Sequence, residues 1–153
     1  MNDKKSICFV ATQILIIAIY FIEIKAIQFY TSSFLGGFFF GFGAVSALLV
    51  LYALLQLNTK ISPFPAPRNN SKLVTSGAYK FTRHPIYTGI FFSLFYYGIV
   101  VGSGFKIIVS ILLLALFYYK SRYEETLLLQ QFPDYAKYQQ EVGQLIPYVG
   151  LKN

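Results

Sequence analysis

The chain has 153 residues, of which 56% are hydrophobic and only 12% are charged. A soluble domain carries charge on roughly 25% of its residues, so this composition excludes an ordinary water-facing surface and predicts an all-α integral membrane protein. The net charge of +7 does not indicate nucleic-acid binding, because the basic residues lie between apolar runs and form neither a block nor a basic helix face.

Four apolar segments in chain order predict about four hydrophobic helices. They cover residues 7–30, 34–57, 86–101 and 105–119. The first two are long enough to cross a bilayer core, which takes about 20 apolar residues. The last two are shorter and are joined by Val101-Gly102-Ser103-Gly104, which predicts a short helical hairpin. No small-residue cleavage site follows Ile16 to Ile22, so we expect a retained helix rather than a secretory signal.

Two polar segments separate and follow these helices. A loop at residues 58–85 contains three prolines within residues 63–67, which exclude a helix at that point. The polar tail at residues 120–153 predicts a C-terminal amphipathic helical segment that completes the functional site. All of these segments together form a single membrane domain, residues 1–153.

The basic residues predict how the chain is oriented in the membrane. With four crossings, Lys25 and Lys106 lie on one face, and the other eleven of the 13 lysines and arginines share the opposite face. Because basic loops stay cytoplasmic, both termini and the central loop are expected on the cytoplasmic side. Any chemistry in the loop and tail of this multi-pass protein then faces the cytoplasm.

Charged and polar side chains flank the predicted hairpin. Arg83 and His84 precede its first helix, and Glu124 and Glu125 follow its second. Since a hairpin brings its two ends together, these residues are expected to meet at the membrane boundary, where unpaired charges are costly. Adjacent helical residues point about 100° apart, so the two glutamates are expected to have different roles. A second interpretation stays open, in which these side chains serve only as membrane anchors, caps and helix-surface ion pairs.

Two motifs carry a resemblance to known proteins. Residues 73–89 read Leu-Val-Thr-Ser-Gly-Ala-Tyr-Lys-Phe-Thr-Arg-His-Pro-Ile-Tyr-Thr-Gly, with the core R-H-P-x-Y-x-G. After the apolar hairpin come the tandem acids and then Phe132-Pro133-Asp134-Tyr135-Ala136-Lys137-Tyr138. The pattern resembles the isoprenylcysteine carboxyl methyltransferase and phospholipid methyltransferase families over roughly residues 55–148. Pro133 replaces the usual glycine, which affects the local turn.

The resemblance implies S-adenosylmethionine-dependent methyl transfer to a lipid or lipid-modified acceptor, such as an isoprenylcysteine-like carboxylate or a phospholipid amine. It implies that the R-H-P segment and the paired acids enclose the cofactor, with Arg83, Glu124 and Glu125 as catalytic residues. Expected partners are the lipophilic acceptor and membrane lipids. The implied cofactor-binding residues are Leu73, Val74, Gly77, Tyr79, Arg83, His84, Tyr87, Gly89, Glu124 and Glu125.

The chemistry of these side chains suits that cofactor. Arg83 matches its carboxylate through a bidentate pair, and either glutamate matches its ammonium. His84 or Tyr87 can hydrogen-bond the cofactor or order its loop. One cysteine and one histidine are too few for a cluster of such ligands, so no metal site is expected. Two alternatives remain: a membrane reductase with a nicotinamide cofactor, and a non-catalytic helical membrane protein whose loop binds a partner or anionic lipid.

Overall fold

A computed structural model describes residues 3–25, 27–57 and 73–151. Within these ranges the chain is all-α, with one 3-10 helix at Gly77–Lys80 and two isolated β-bridges. The predicted loop segment at residues 58–72 lies outside the described residues. The α-helices are α1 (Asp3–Tyr20), α2 (Ser33–Leu57), α3 (Pro85–Val100), α4 (Gly104–Gln131) and α5 (Tyr135–Glu141).

The four long helices pack side by side in an order that differs from the chain order. Helix α3 lies against α2 and α4, and α4 also lies against α1. Helices α2 and α4 are long and apolar enough to cross a membrane, whereas α3 has 16 residues and spans about 24 Å at 1.5 Å per residue. Along α2 the large apolar side chains Leu48, Leu51 and Leu55 are exposed, which suits a helix whose solvent is lipid.

Close approach between α2 and α3 depends on Gly89. A Cβ atom at this position would lie 2.5 Å from the Val50 Cγ2 atom and 2.8 Å from the Ser46 carbonyl oxygen. Real side chains do not approach that closely, so the two helices pack at this distance only because Gly89 has no side chain. The glycine therefore sets the spacing of the α2–α3 pair.

The first helix is shorter than the segment predicted at residues 7–30. It ends at Tyr20, whose carbonyl oxygen accepts a hydrogen bond from Lys106 Nζ at 2.8 Å. Beyond it the connector pairs with the turn of the α3–α4 hairpin, where the Phe29 amide donates to the Gly102 carbonyl at 2.8 Å. The connector thus forms hydrogen bonds with the turn instead of continuing the helix. The Lys106 ammonium also stabilises the end of α1, because it binds a carbonyl of the last turn.

Helix α4 is longer than the apolar segment predicted at residues 105–119. Its 28 residues span about 42 Å, more than the roughly 30 Å of a bilayer core. The polar C-terminal turns of α4 therefore continue beyond the apolar part and reach the level of the segment that precedes α3. Helix α5 follows after a short turn, and the chain then folds back toward Arg83.

Residues 142–150 form this return segment. The Arg83 amide donates to the Gly143 carbonyl at 2.9 Å, and the His84 amide donates to the Gln144 carbonyl at 3.2 Å. The Thr82 hydroxyl donates to the same Gln144 carbonyl at 2.7 Å. The return segment therefore acts like a short parallel strand beside the residues that lead into α3.

Candidate active site

The hairpin brings five polar side chains together at one end of the bundle. Arg83 and His84 come directly before α3, Tyr87 lies in its first turn, and Glu124 and Glu125 project from the polar part of α4. We call these five residues the polar cluster. The contacts within it divide the two glutamates into an enclosed one and a partly open one.

Glu125 is the enclosed carboxylate. Its Oε1 atom lies 2.7 Å from Arg83 Nε and 3.3 Å from His84 Nε2, while Gln139 Nε2 donates to Oε2 at 2.8 Å. The side chains of Arg83 and Glu125 are both 0% exposed. Because both carboxylate oxygens have protein partners, Glu125 satisfies a buried cation and anchors α5 through Gln139.

Arg83 directs its other donors at the backbone of the last part of the chain. Its Nη1 donates to the carbonyl oxygens of Gln139, at 3.0 Å, and of Val142. Its Nη2 donates to the Gly150 carbonyl at 3.0 Å. Together with the bond to Glu125, four of the five guanidinium N–H groups are engaged within the protein. Arg83 therefore joins α4, α5 and the return segment around one buried positive charge.

Glu124 differs from Glu125 in its exposure and its partners. Its side chain is 13% exposed, Oε1 accepts a hydrogen bond from the Tyr87 hydroxyl at 2.5 Å, and Oε2 lies 3.5 Å from His84 Nδ1. These contacts hold the carboxylate in one orientation but leave part of it accessible. The two adjacent glutamates therefore share His84 as a neighbour but differ in exposure and in their other partners. That they have different roles stays a prediction.

Tyr87 is fixed by stacking as well as by its hydrogen bond. Its ring lies parallel to the His84 imidazole, at 5.7 Å between centroids, and to Phe117, at 4.5 Å. The Lys120 ammonium lies 5.1 Å from the centre of the same ring and donates to Gln13 Oε1 of α1 at 2.7 Å. The phenol that orients Glu124 is thus held by α3 and α4 and linked through Lys120 to α1.

The other residues that the sequence implicates lie around the polar cluster. Gly77 starts the 3-10 helix at φ +62°, and a Cβ atom there would lie 1.7 Å from Gln56 Nε2 of α2. Leu73 packs against the tyrosines of α5, and Val74 and Tyr79 pack on Ala53 of α2. Gly89 faces α2 as described above. These residues shape the walls that hold the polar cluster in place.

Three buried tyrosines border the polar cluster outside the apolar helices. Burial raises the pKa of Tyr79, Tyr135 and Tyr138 well above the ordinary value. Nearby glutamates raise it further, whereas Arg83 lowers the pKa of Tyr135 and Tyr138 in part. All three phenols are therefore neutral at physiological pH and are able to donate a hydrogen bond. The Tyr138 hydroxyl donates to the Tyr79 carbonyl, which joins α5 to the 3-10 helix.

Sequence reasoning did not identify several uncharged polar side chains that support the polar cluster. Gln139 fixes the second oxygen of Glu125, and Gln144 Nε2 donates to the Ser121 hydroxyl of α4 at 2.8 Å. The Thr88 hydroxyl of α3 donates to the Leu145 carbonyl at 2.6 Å. Uncharged polar side chains such as these give no sequence signal that they are buried, so only their three-dimensional contacts reveal them.

Comparison with known proteins agrees with the signature at residues 73–89. The sequence profile of the phospholipid methyltransferase family matches residues 31–135. No curated protein matches the chain significantly. In structure the chain resembles the eukaryotic intramembrane Ras methyltransferase, isoprenylcysteine carboxyl methyltransferase, with a TM-score of 0.66 and 24% identity. The match covers 100% of this chain and 56% of that enzyme, so this chain spans little more than half of its length. The predicted all-α membrane fold is confirmed, and the chain belongs to the phospholipid methyltransferase family.

Proposed function

We propose that this protein catalyses S-adenosylmethionine-dependent methyl transfer to a lipid or lipid-modified acceptor at the cytoplasmic membrane face. The observation that carries the proposal is the pairing of the R-H-P segment with the tandem acids. Arg83 and Glu125 form a fully buried pair, and beside them Glu124 is oriented and partly accessible. Membership of the phospholipid methyltransferase family and the likeness to a membrane methyltransferase support the reaction class.

The side chains of the polar cluster fit the cofactor by their chemistry. Glu124 supplies a carboxylate for the ammonium group, and Tyr87 and His84 keep that carboxylate from turning away. From the sequence, Arg83 is expected to bind the cofactor carboxylate, and this contact stays a prediction. A bidentate pair would require Arg83 to exchange at least one of its contacts with Glu125 and the backbone carbonyls.

The catalytic task of the protein is mainly one of position. When bound, S-adenosylmethionine supplies a methyl group already activated by a sulfonium. The chain has to align the acceptor with that methyl group and exclude water, and rigid side chains such as the stacked Tyr87 serve this purpose. A carboxylate acceptor needs no base, whereas an amine acceptor has to lose a proton, for which Glu124 is the accessible carboxylate of the polar cluster.

The proposed site lies where both reactants have access. Exposed apolar side chains on α2 and α4 suit contact with lipid, from which a lipophilic acceptor would reach the site by lateral diffusion. In the proposed four-crossing topology, the polar end of α4 is on the side with most basic residues, where the water-soluble cofactor is available. We include in this proposal four crossings, a single membrane domain over residues 1–153, and both termini in the cytoplasm.

We further propose that the cofactor is enclosed by the segment before α3 and by the paired acids, with walls formed by the surrounding aromatic and glycine positions. The 3-10 helix and the return segment hold that enclosure together. The proposed cofactor contacts are Leu73, Val74, Gly77, Tyr79, Arg83, His84, Tyr87, Gly89, Glu124 and Glu125.

Calorimetric titration of the detergent-solubilised protein with S-adenosylmethionine and with NADPH tests this function directly. Binding of S-adenosylmethionine alone, together with a methylated lipid product in membranes incubated with labelled cofactor, is the expected result. Binding of NADPH alone would indicate a membrane reductase. Binding of neither compound would favour a non-catalytic membrane protein.

A further inference from the structure

Tyr135 carries a buried hydroxyl group with an unusual property. The residue is 1% exposed. Among the residues that the structure describes, its hydroxyl is the one buried side-chain polar atom without a hydrogen-bond partner. Buried tyrosine hydroxyls ordinarily find a partner, because an unpaired polar group in the protein interior lowers stability. A hydroxyl kept under these conditions points to a function that the apolar ring alone would not serve.

The position of Tyr135 connects it to the polar cluster. Tyr135 is the first residue of α5, and Gln139, four residues later on the same helix face, donates to Glu125 at 2.8 Å. The negative charge of Glu125 is, after burial, the largest influence that raises the pKa of Tyr135, while Arg83 acts in the opposite direction. Gln139 thus links the helix that begins at Tyr135 to the buried Arg83–Glu125 pair, and burial keeps the Tyr135 phenol neutral and able to donate.

A neighbouring tyrosine shows what a purely structural hydroxyl looks like in this region. Tyr138 packs its ring edge-on against Tyr135, at 5.7 Å between centroids, and is also buried. Its hydroxyl, however, donates to the Tyr79 carbonyl. The two residues have the same side chain and similar burial, and differ in whether the hydroxyl has a partner within the protein.

We propose that the Tyr135 hydroxyl donates a hydrogen bond to the carboxylate of bound S-adenosylmethionine. This inference rests on the proposed function and extends it to a residue of α5. The ammonium and the carboxylate of the cofactor sit on one carbon atom, so an ammonium at Glu124 brings the carboxylate to the same region. Arg83 already directs four donors at Glu125 and at backbone carbonyls, whereas the donor of Tyr135 has no such commitment within the described residues.

Two further features follow from this assignment. The hydroxyl is enclosed by protein, so the contact forms only after the surrounding side chains move to admit the cofactor. A neutral phenol adds no charge next to Glu125, and it therefore contributes orientation for the carboxylate without weakening the Arg83–Glu125 pair.

The test uses Tyr135→Phe, which removes only the hydroxyl, and Tyr138→Phe as the matched control. Thermal stability and cofactor affinity are measured for both variants and the wild-type protein in detergent. Affinity is measured with S-adenosylmethionine and with decarboxylated S-adenosylmethionine, which keeps the ammonium and lacks the carboxylate. For Tyr135→Phe we expect unchanged or higher thermal stability. Its affinity for S-adenosylmethionine should fall at least about tenfold, whereas its affinity for the decarboxylated compound should equal that of the wild type.

The control is expected to behave in the opposite way. Tyr138→Phe loses an internal hydrogen bond, so its thermal stability falls while the ratio of its affinities for the two compounds stays at the wild-type value. Equal binding of S-adenosylmethionine by Tyr135→Phe and the wild type would overturn the inference and leave the proposed function intact. A loss that persists with the decarboxylated compound would also overturn it. If the wild-type protein bound neither compound, the proposed cofactor would be wrong and this inference with it.

Discussion

Arg83 Nε and Glu125 Oε1 lie 2.7 Å apart, and neither side chain is exposed. Both residues flank an apolar hairpin, so this ion pair closes the two ends of the hairpin on each other. Burying two charges costs desolvation energy, so the pair as a whole need not stabilise the protein. Removing one partner is nevertheless strongly destabilising, because the other charge is then buried without a counter-ion. Substitutions at Arg83 and Glu125 are therefore expected to lower stability, whereas a substitution at Glu124 is expected to lower activity.

Arg83→Ala is expected to destabilise the protein strongly. The substitution leaves Glu125 buried without its cation and removes the contacts to the Gln139 and Gly150 carbonyls. Breaking one side of a buried pair costs about 3–5 kcal/mol, which should appear as a large drop in the temperature of unfolding in detergent. Arg122→Ala is the matched control, because the exposed Arg122 contacts only Tyr118 among its described hydrogen-bond partners. Similar unfolding temperatures for the two variants would show that the Arg83 contacts do not hold the fold.

Glu124→Gln and Glu125→Gln are expected to fail in different ways. Glu124→Gln removes the charge of the partly accessible carboxylate, so methyl transfer should fall by at least about tenfold, or roughly 1.4 kcal/mol, with little change in stability. Glu125→Gln leaves Arg83 without its anion, and the unfolding temperature should fall together with the activity.

Glu141→Gln provides the control for both glutamate variants, because Glu141 is exposed at the end of α5. Rates of transfer from labelled S-adenosylmethionine are compared at matched amounts of folded protein. Full activity in Glu124→Gln would remove Glu124 from the proposed cofactor site. Loss of activity in the control would show that the effect is not specific to the tandem acids.

How much of this site is predictable from sequence depends on the kind of contact. The approach of Arg83 to Glu125 follows from the hairpin, and the helical angle between neighbours predicts that Glu124 and Glu125 do not have the same set of partners. The contribution of the return segment is not predictable from sequence, because this segment acts through the carbonyl groups of Val142, Gly143 and Gly150. Every residue has a carbonyl group, so no side-chain pattern marks the ones that accept from Arg83.

The end of α1 shows the same limit in the apolar part of the chain. Residues 21–30 are mostly hydrophobic, and composition alone extends the first helix through them. In the structure the Phe29 amide instead pairs with the Gly102 carbonyl, more than seventy residues away. Gly102 adopts φ +63°, and a Cβ atom there would lie 2.0 Å from the Phe29 carbonyl oxygen. A long-range backbone contact of this kind outweighs local helix propensity without leaving a local signal.

Gly89→Ala is expected to destabilise the α2–α3 pair. Its Cβ atom would approach Val50 and the Ser46 carbonyl to less than van der Waals distance, and overpacking of this kind costs about 1–3 kcal/mol. The control is Gly41→Ala, since a Cβ atom at position 41 meets nothing within 4 Å. There the substitution should leave stability unchanged or raise it, because alanine favours a helix over glycine. Unfolding in detergent measures both, and equal effects would mean that α2 and α3 are not in this close contact.

The proposed orientation is tested by cysteine accessibility in intact cells. With the exposed Cys8 replaced by Ser, single cysteines introduced within residues 69–71 and at residue 153 should react with a membrane-impermeant reagent only after the membrane is opened. A cysteine at position 25, in the α1–α2 connector, should react from outside. Labelling of positions 70 and 153 on opposite sides would exclude four crossings.

The return segment also sets the order in which the protein is able to mature. Arg83 leaves the ribosome about sixty residues before Gly143 and Gln144, whose carbonyls accept its amide and that of His84. Helices α3 and α4 are therefore made while Arg83 still lacks these acceptors and those of Val142 and Gly150. A nascent chain that stops after α4 has its apolar helices but an unfinished polar cluster. The enzyme we propose thus gains its site only after its membrane helices have been synthesised.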